Sequence, residues 1–380
     1  MAYVAVSGGA EAIEESIKLL ELYKSGTDKD IEVEAVENRL SLLLDRVMGE
    51  AGLYAKKYAA LAVMQCEGSM EEAVFLLRAY RSTLTRNYCT EAVDTGKMRI
   101  ARRISAAFKD VPGGQILGAT YDYTHRLIDF DISGETSAKK RLAALADIDS
   151  QVPMEIVPCP RVSDALKKEG LIDRFERDER SPHDVTMKMP EFPASRSARL
   201  QTLARADTGF ISGLAYSVLR GFGQVHPTVG ELRCGYAELF VPYPGDGGES
   251  IYIGEFLMTE VECFNSADEP GAPGKADRLK LSVGYGAAFG RNETKAIAMA
   301  VLDHELDYNS PKSAQRGSAN PSGDEEIIGA RLENVFPARD EEFTLLHGDS
   351  LEMNGFISHL KLPHYVTFQS KLDAVRKTRV

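Results

Sequence analysis

Two histidines, His359 and His364, stand five residues apart in the stretch SHLKLPHYVTF, out of only seven histidines in 380 residues. Imidazole nitrogens act as metal ligands, as acid–base groups or as ordinary loop side chains. On a helix a spacing of five turns the second ring about 140° away from the first, so this is not the one-face pair of the HExxH metal motif. Pro363 pushes Leu362 out of helical conformation, and an extended or turned segment could bring both rings to one ion. Two nitrogens leave a tetrahedral zinc two ligands short. His347 and Asp349 are the nearest residues of suitable type.

The positive charge is concentrated in MRIARRISAAFKDVPGG, residues 98–114. Read as a helix, this stretch puts Arg99, Arg102 and Arg103 on one face and Ile100, Ile104 and Ala107 opposite, with Lys109 and a glycine turn following. Arg78 and Arg81 add guanidinium groups from the preceding helix. Guanidinium forks match phosphate oxygens. In a chain of net charge −12 the cluster points either to a polyphosphate or acidic partner, or to a solvated face paired with the chain's own carboxylates. Arg196 and Arg199, in SRSAR at a helix start, offer a second anion site or simply a capped helix end.

Glu255, Glu260 and Glu262 interrupt an otherwise apolar run, GEFLMTEVE. An unpaired buried carboxylate is costly, so these residues either line a cleft or make structural ion pairs. In a cleft they could stabilise a developing sugar cation or protonate a leaving base. His125, beside Tyr121, Tyr123 and Asp129, is the imidazole best placed for chemistry. The glycines of VGYGAAFG are not spaced as a dinucleotide fingerprint and fit a strand whose bare face admits close packing or a ligand. There is no GxSxG, no Walker A and no Cys–His protease context.

The elements that must position these residues follow from periodicity. Helical patterns are expected over 10–25, through Val36, Leu40, Leu43 and Val47, over 53–67, and after a capping box at Ser69 and Glu72. A short strand is expected at Tyr3–Val6. Alternation in Tyr121–Ile132 predicts a half-buried strand. Residues 145–190 look charged and irregular, 197–221 helical, 230–264 strand-rich, and 279–289 a strand leading into a helix at Asn292. The order predicts an α+β fold with a helical N-terminal part and largely antiparallel strands. The expected regions are 1–112, 113–306, a polar insertion or linker at 307–339, and a C-terminal segment at 340–380. The hydrophobic content of 43% supplies a core, and the acidic balance argues against a general nucleic-acid binder. Five scattered cysteines, no membrane-length apolar run and an acidic N-terminus lead us to expect a cytoplasmic protein with reduced thiols.

Seven stretches in order carry a resemblance: FLLRAYRSTL, RRISAAFKDVPGGQILGATYDYTHRLIDF, SRSARLQ, GEFLMTE, GYGAAFG, DEEF and GFISHLKLPHYVTFQ. Together they are similar to the PhnI subunit family of the bacterial carbon–phosphorus lyase system, along essentially the whole chain. The resemblance implies a purine nucleosidase-type activity on ATP or GTP. With partner subunits, the base would be replaced at C1′ by an alkylphosphonate, giving α-D-ribose 1-methylphosphonate 5-triphosphate in the usual case. It also implies PhnG, PhnH and PhnJ as partners, with ATP-binding-cassette-like PhnK and PhnL attached and two copies of this chain per core. Zinc is implied at His359 and His364, completed by a partner subunit, and Mg²⁺ would accompany the triphosphate. For that chemistry the residue types suggest Glu255 or Glu260 with Asp122 or Asp129 as carboxylates. Arg102, Arg103 and Lys109, and separately Arg196 and Arg199, suit the phosphates. Two other readings stay open: a non-catalytic scaffold subunit, and a free-standing nucleotide hydrolase.

Overall fold

Three long alternating segments and one short one build the centre of the fold. The computed structural model describes residues 8–26, 31–107, 113–132, 135–151, 159–172, 181–222, 226–243, 248–269, 278–308 and 348–379. Strands β1 (Arg99–Ser105), β2 (Thr228–Pro242), β3 (Ser250–Glu269) and β4 (Arg278–Phe289) pair antiparallel in the order β1-β2-β3-β4. Twelve α-helices among the described residues complete the α+β architecture expected from the sequence. None is long and apolar enough to cross a membrane.

Five helices precede the sheet: α1 (Gly9–Ser25), α2 (Val33–Arg39), α3 (Ser41–Ala51), α4 (Lys56–Gln65) and α5 (Met70–Thr83). Helices α2–α5 bury their own cluster, including Val36, Leu44, Val47, Leu77 and Ala73. The pattern through Val36 and Val47 is two helices, because the chain leaves helical geometry at Leu40. Ser69 caps α5 by position only; its side chain makes no capping hydrogen bond. Helices α6 (Glu135–Gln151) and α7 (Val162–Lys168) occupy part of the stretch expected to be irregular. Helices α8 (Arg196–Arg205) and α9 (Thr208–Ser217) replace the single helix expected there, with Asp207 capping the second by accepting from Phe210 N. Helix α10 (Glu293–Tyr308) follows β4, and α11 (Ser350–His359) and α12 (Tyr365–Lys377) end the described chain. The expected Tyr3–Val6 strand and the 307–339 insertion, except its first two residues, lie outside the described residues.

One face of the sheet packs on α9, α10 and α11 through Ile104, Leu232, Val261, Ile211, Ile297 and Ile357. The glycine pattern of β4 serves this contact. A Cβ on Gly286 would lie 2.0 Å from the Ala296 carbonyl oxygen, and one on Gly284 would lie 2.1 Å from that of Ala300. Both neighbours are backbone, so any side chain there would push α10 off the sheet. The bare face expected from VGYGAAFG is therefore a close helix–strand contact.

The opposite face carries a charged layer between two apolar clusters. Phe264, Leu281, Phe368 and Leu372 lie on one side, and Met98, Ala237 and Met258 on the other. Between them Arg103 Nε meets Glu231 Oε1 at 2.6 Å, and Arg233 Nη1 lies 3.3 Å from Glu260 Oε1. Tyr285 donates to Glu260 Oε2 at 2.8 Å, and Ser163 donates to Glu262 Oε1 at 2.7 Å.

Two expectations about local structure are overturned. The arginines of 99–103 lie on a strand, not on one helical face, so Arg102 and Arg103 point to opposite sides of the sheet. Strand pairing with β2, with a register shift between Ile100 and Arg102, prevails over the helical spacing. The Tyr121–Ile132 segment forms no strand: Leu127, Ile128, Phe130 and Ile132 are exposed, Phe130 by 91%. Period-2 alternation needs a neighbouring strand to be realised, and none pairs with this segment among the described residues.

Candidate functional site

A cavity of about 370 Å³ opens where α3, the start of α10 and the sheet's helix-covered face meet, the size range of small-molecule sites. Its wall combines three cations (Lys56, Arg102, Arg291), two carboxyl groups (Asp45, Glu293) and two aromatic rings (Tyr54, Tyr236), with Ser41 and Cys234 among the rest.

Each group is held by an identifiable local device. Gly290, with φ of +68°, ends β4 in a conformation that glycine adopts freely, and a Cβ there would fall 2.3 Å from Asp45 Cγ. The last glycine of the pattern thus makes room for a carboxyl group. Asp45 Oδ2 accepts from Arg291 N at 3.0 Å, and the Asn292 amide donates to the carbonyls of Asp45 at 2.8 Å and Phe289 at 2.6 Å. Asn292 does precede α10 as expected, but its side chain ties α3 to the β4–α10 turn. Tyr54 accepts from Leu257 N at 3.0 Å and packs edge-on against Phe289 at 5.7 Å. The Arg99 guanidinium lies 4.4 Å above the Tyr236 ring.

Arg102 is the centre of a buried ionic ring. Its guanidinium lies 2.7 Å from Asp122 Oδ2 and 2.7 Å from Glu293 Oε1. Lys361 closes the ring at 3.3 Å from Asp122 Oδ1 and 3.2 Å from Glu293 Oε2. Lys361 belongs to SHLKLPHYVTF, so the ring connects the cavity wall to the histidine turn. There His359 ends α11, a tight turn follows, and His364 precedes α12. The two rings converge, with centroids 5.1 Å apart. His359 Nδ1 contacts the Phe356 carbonyl, which leaves Nε2 as the lone-pair nitrogen. Burial, and then the neighbouring His359, hold His364 below the ordinary histidine range.

The environments separate the two aspartates of this region. Burial raises the Asp45 carboxyl above the usual range, and the Arg291 contacts only partly offset it. Burial would also raise Asp122, but the Lys361 ammonium, the Thr120 hydroxyl and Arg102 outweigh it and hold this group low. Burial thus dominates at Asp45, while neighbouring charge and hydrogen bonds dominate at Asp122. Cys234 is pushed up to about 11, chiefly by burial, so it is not a thiolate at neutral pH.

The other residues singled out from the sequence divide clearly. Arg102 and Asp122 come together at the cavity. Arg103 and Glu260 lie in the charged layer on the opposite face. Glu255 pairs with Arg99 at the surface, and Asp129 and His125 are exposed. Arg196 is occupied by Asp303, 2.5 Å away, and Arg199 faces Asp307 at 3.4 Å, so neither presents a free fork to an anion. Ser195 is the helix cap, accepting from Ala198 N. Arg78 is taken up by the carbonyls of Glu50 and Arg205, and Arg81 by Thr186. Lys109 lies outside the described residues. No group of three or more metal-ligating side chains occurs among the described residues. Asp45, Lys56, Arg291, Glu293 and Lys361 join the site without a motif to mark them. An acid inside the apolar LLLDRVM helix is the available signal for Asp45, and a carboxylate on the first residue after a helix cap that for Glu293; no local pattern marks the other three.

The chain matches the family described as "Bacterial phosphonate metabolism protein (PhnI)" over residues 2–336 and 328–380. It is 44% identical over 379 residues to the Escherichia coli K12 protein named alpha-D-ribose 1-methylphosphonate 5-triphosphate synthase subunit PhnI, covering 99% of this chain and 98% of that one. A Rhizobium meliloti protein of the same name is 42% identical, covering 99% of this chain and 95% of its own. The putative C-P lyase subunit protein HtxH of Stutzerimonas stutzeri is also 42% identical, over 100% of this chain and 96% of that relative. The chain belongs to the PhnI family of bacterial phosphonate metabolism proteins.

Proposed function

We propose that this chain is a subunit of a carbon–phosphorus lyase system and that its cavity binds a purine nucleoside 5′-triphosphate whose base is replaced by an alkylphosphonate. The observation that carries the reading is the cavity wall itself. Lys56 and Arg291 suit a polyphosphate, Arg102 is held back by Asp122, Glu293 and the Leu117 carbonyl, Tyr54 and Tyr236 present rings for a base, and Asp45 and Glu293 supply carboxyl groups between them. The names of the Escherichia coli and Rhizobium meliloti relatives, as alpha-D-ribose 1-methylphosphonate 5-triphosphate synthase subunits, support such a product.

In this reading a phosphonate oxygen forms the new bond to C1′ as the C1′–N9 bond breaks and its electron pair leaves with the purine. The leaving base takes its proton from Asp45, whose carboxyl burial raises above the usual range. Glu293, fixed by Arg102 and Lys361, faces the positive charge that builds on the ribose. The phosphonate oxygen is already charged, so no activated serine or cysteine is needed, in keeping with the raised Cys234 thiol. Mg²⁺ would travel with the triphosphate. The convergent rings of His359 and His364 fit zinc, with its remaining ligands from a partner or substrate. Zinc would supply a Lewis acid to an oxyanion.

Catalysis inside an assembly is part of the proposal. Leu127, Ile128, Phe130 and Ile132 are exposed a few residues from Asp122, an apolar surface suited to a partner. The partners we propose are PhnG, PhnH and PhnJ, with PhnK and PhnL, around two copies of this chain in the cytoplasm. The assembled complex, given ATP and methylphosphonate, is expected to release adenine and form a product whose phosphorus is bonded through oxygen to C1′, followed by chromatography and phosphorus NMR. Adenine release that needs no phosphonate would identify a nucleotide hydrolase instead. A chain that assembles while its cavity variants leave product formation untouched would identify a scaffold.

A further inference from the structure

Tyr54 is held on the cavity wall with its hydroxyl proton unspent. The pairing of β4 with β3 stops at Met258, so the Leu257 N–H lies beyond the last partner residue on that edge. Tyr54 satisfies it, its oxygen accepting from Leu257 N at 3.0 Å. The Leu257 peptide is fixed from its other end as well, since its carbonyl accepts from Gly290 N at 2.7 Å. The Tyr54 ring stands edge-on to Phe289 at 5.7 Å and to Phe256 at 6.0 Å, and those two rings stand edge-on to each other at 5.7 Å. A phenol has one proton, and a donor N–H cannot occupy the direction in which that proton points. With Leu257 N on one side, the proton is turned to the other, and no acceptor among the described residues takes it. Burial and the nearby Asp45 carboxyl raise the Tyr54 hydroxyl above its ordinary value, outweighing the Leu257 N–H, so the group stays protonated at neutral pH. Tyr54 therefore faces the cavity as a fixed, neutral donor.

We propose that Tyr54 recognises the base, its hydroxyl donating to a ring nitrogen of the purine other than the one that Asp45 protonates. This role rests on the reading of the cavity as a nucleotide site and adds how that site selects its base. The aromatic end of the wall, where Tyr54 and Tyr236 lie, is the end that suits a flat heterocycle. No proton leaves Tyr54. The electron pair that the base carries away from C1′ spreads over its ring nitrogens, so a donor placed there holds the departing base more tightly than the intact nucleotide.

The test is equilibrium binding of ATP, 1-deaza-ATP and 3-deaza-ATP to the assembled complex, each analogue replacing one ring nitrogen by C–H. Wild type is expected to bind one of the two analogues about 3- to 10-fold more weakly than ATP, the worth of one neutral hydrogen bond. Tyr54→Phe is expected to lose that factor on ATP and to bind ATP and the same analogue within about twofold of each other. Loss of the Leu257 contact alone would weaken all three nucleotides equally and keep the wild-type preference, which would overturn the proposal. Equal affinity of the wild type for all three would do the same. A 3-fluorotyrosine placed at residue 54 keeps the ring and is a stronger donor but a weaker acceptor. It is expected to tighten ATP and not the sensitive analogue, and equal effects on both would count against the donor role. Lys56→Met separates the two levels. If it leaves ATP affinity unchanged, the cavity reading falls and the role of Tyr54 with it. If it weakens ATP while Tyr54→Phe keeps the wild-type preference, base recognition by Tyr54 falls alone.

Discussion

Asp45→Asn is expected to lower the rate of base release from ATP in the assembled complex by about 10²- to 10⁴-fold, the usual contribution of a positioned proton donor. Asparagine keeps the shape and can still accept from Arg291 N, whose bond to Asp45 Oδ2 is 3.0 Å, but it cannot deliver a proton. Since Asp45 works in its protonated form and burial raises its pKa, the wild-type rate should fall as pH rises through that value. The asparagine variant should lose this limb of the profile. A nucleotide carrying a 7-methylated purine departs without needing a proton, so it should restore much of the lost rate. An Asp45→Asn rate equal to wild type, or an equal deficit with the methylated base, would take the proton-donor role away from Asp45.

The second large effect belongs to stability rather than to chemistry. Glu262, buried on the sheet's charged face, has its pKa pushed up from 4.5 to about 7, first by burial and then by the neighbouring Glu231 and Glu260, while Ser163 only partly offsets them. A carboxyl whose folded pKa lies above its unfolded one binds more protons in the native state between those two values. Stability is therefore full below about 4.5, declines as pH rises, and levels off above about 7. Two and a half pH units at about 1.4 kcal/mol each make this roughly 3 kcal/mol. Glu262→Gln mimics the neutral acid and should flatten the decline. Urea unfolding at pH 5 and pH 8 would show it, with the variant gaining up to roughly 3 kcal/mol on wild type at pH 8. An unchanged pH slope in Glu262→Gln would mean that another group carries the dependence.

The same layer shows why some residues were legible and others were not. Alternation identified β4 and the strand-rich region, and it marked the glycines of β4 as a bare face, because in-register neighbours and α10 realise that pattern. The identical signal in Tyr121–Ile132 misled, since periodicity says nothing about whether a partner strand exists. Arginine spacing at 99, 102 and 103 fits a helix as well as a strand with one bulge, and only the pairing with β2 separates Arg102 from Arg103. Residue type alone brought out Arg102, Asp122 and the histidine pair. It could not say that Arg196 is already occupied by Asp303, 107 residues away, or that Lys361 and Glu293 complete the ring around Arg102. Those facts depend on long-range contacts that no local pattern encodes.

The central claim is that the cavity between α3 and the sheet holds the triphosphate. It is tested most directly by ATP affinity in Lys56→Met and Arg291→Met, both on the cavity wall, beside Arg199→Met, which lies away from it. Each cavity variant is expected to weaken ATP binding by about 10-fold or more, the loss of a charge-assisted phosphate contact, while Arg199→Met binds as wild type. Wild-type affinity in both cavity variants, with a loss in Arg199→Met, would contradict it.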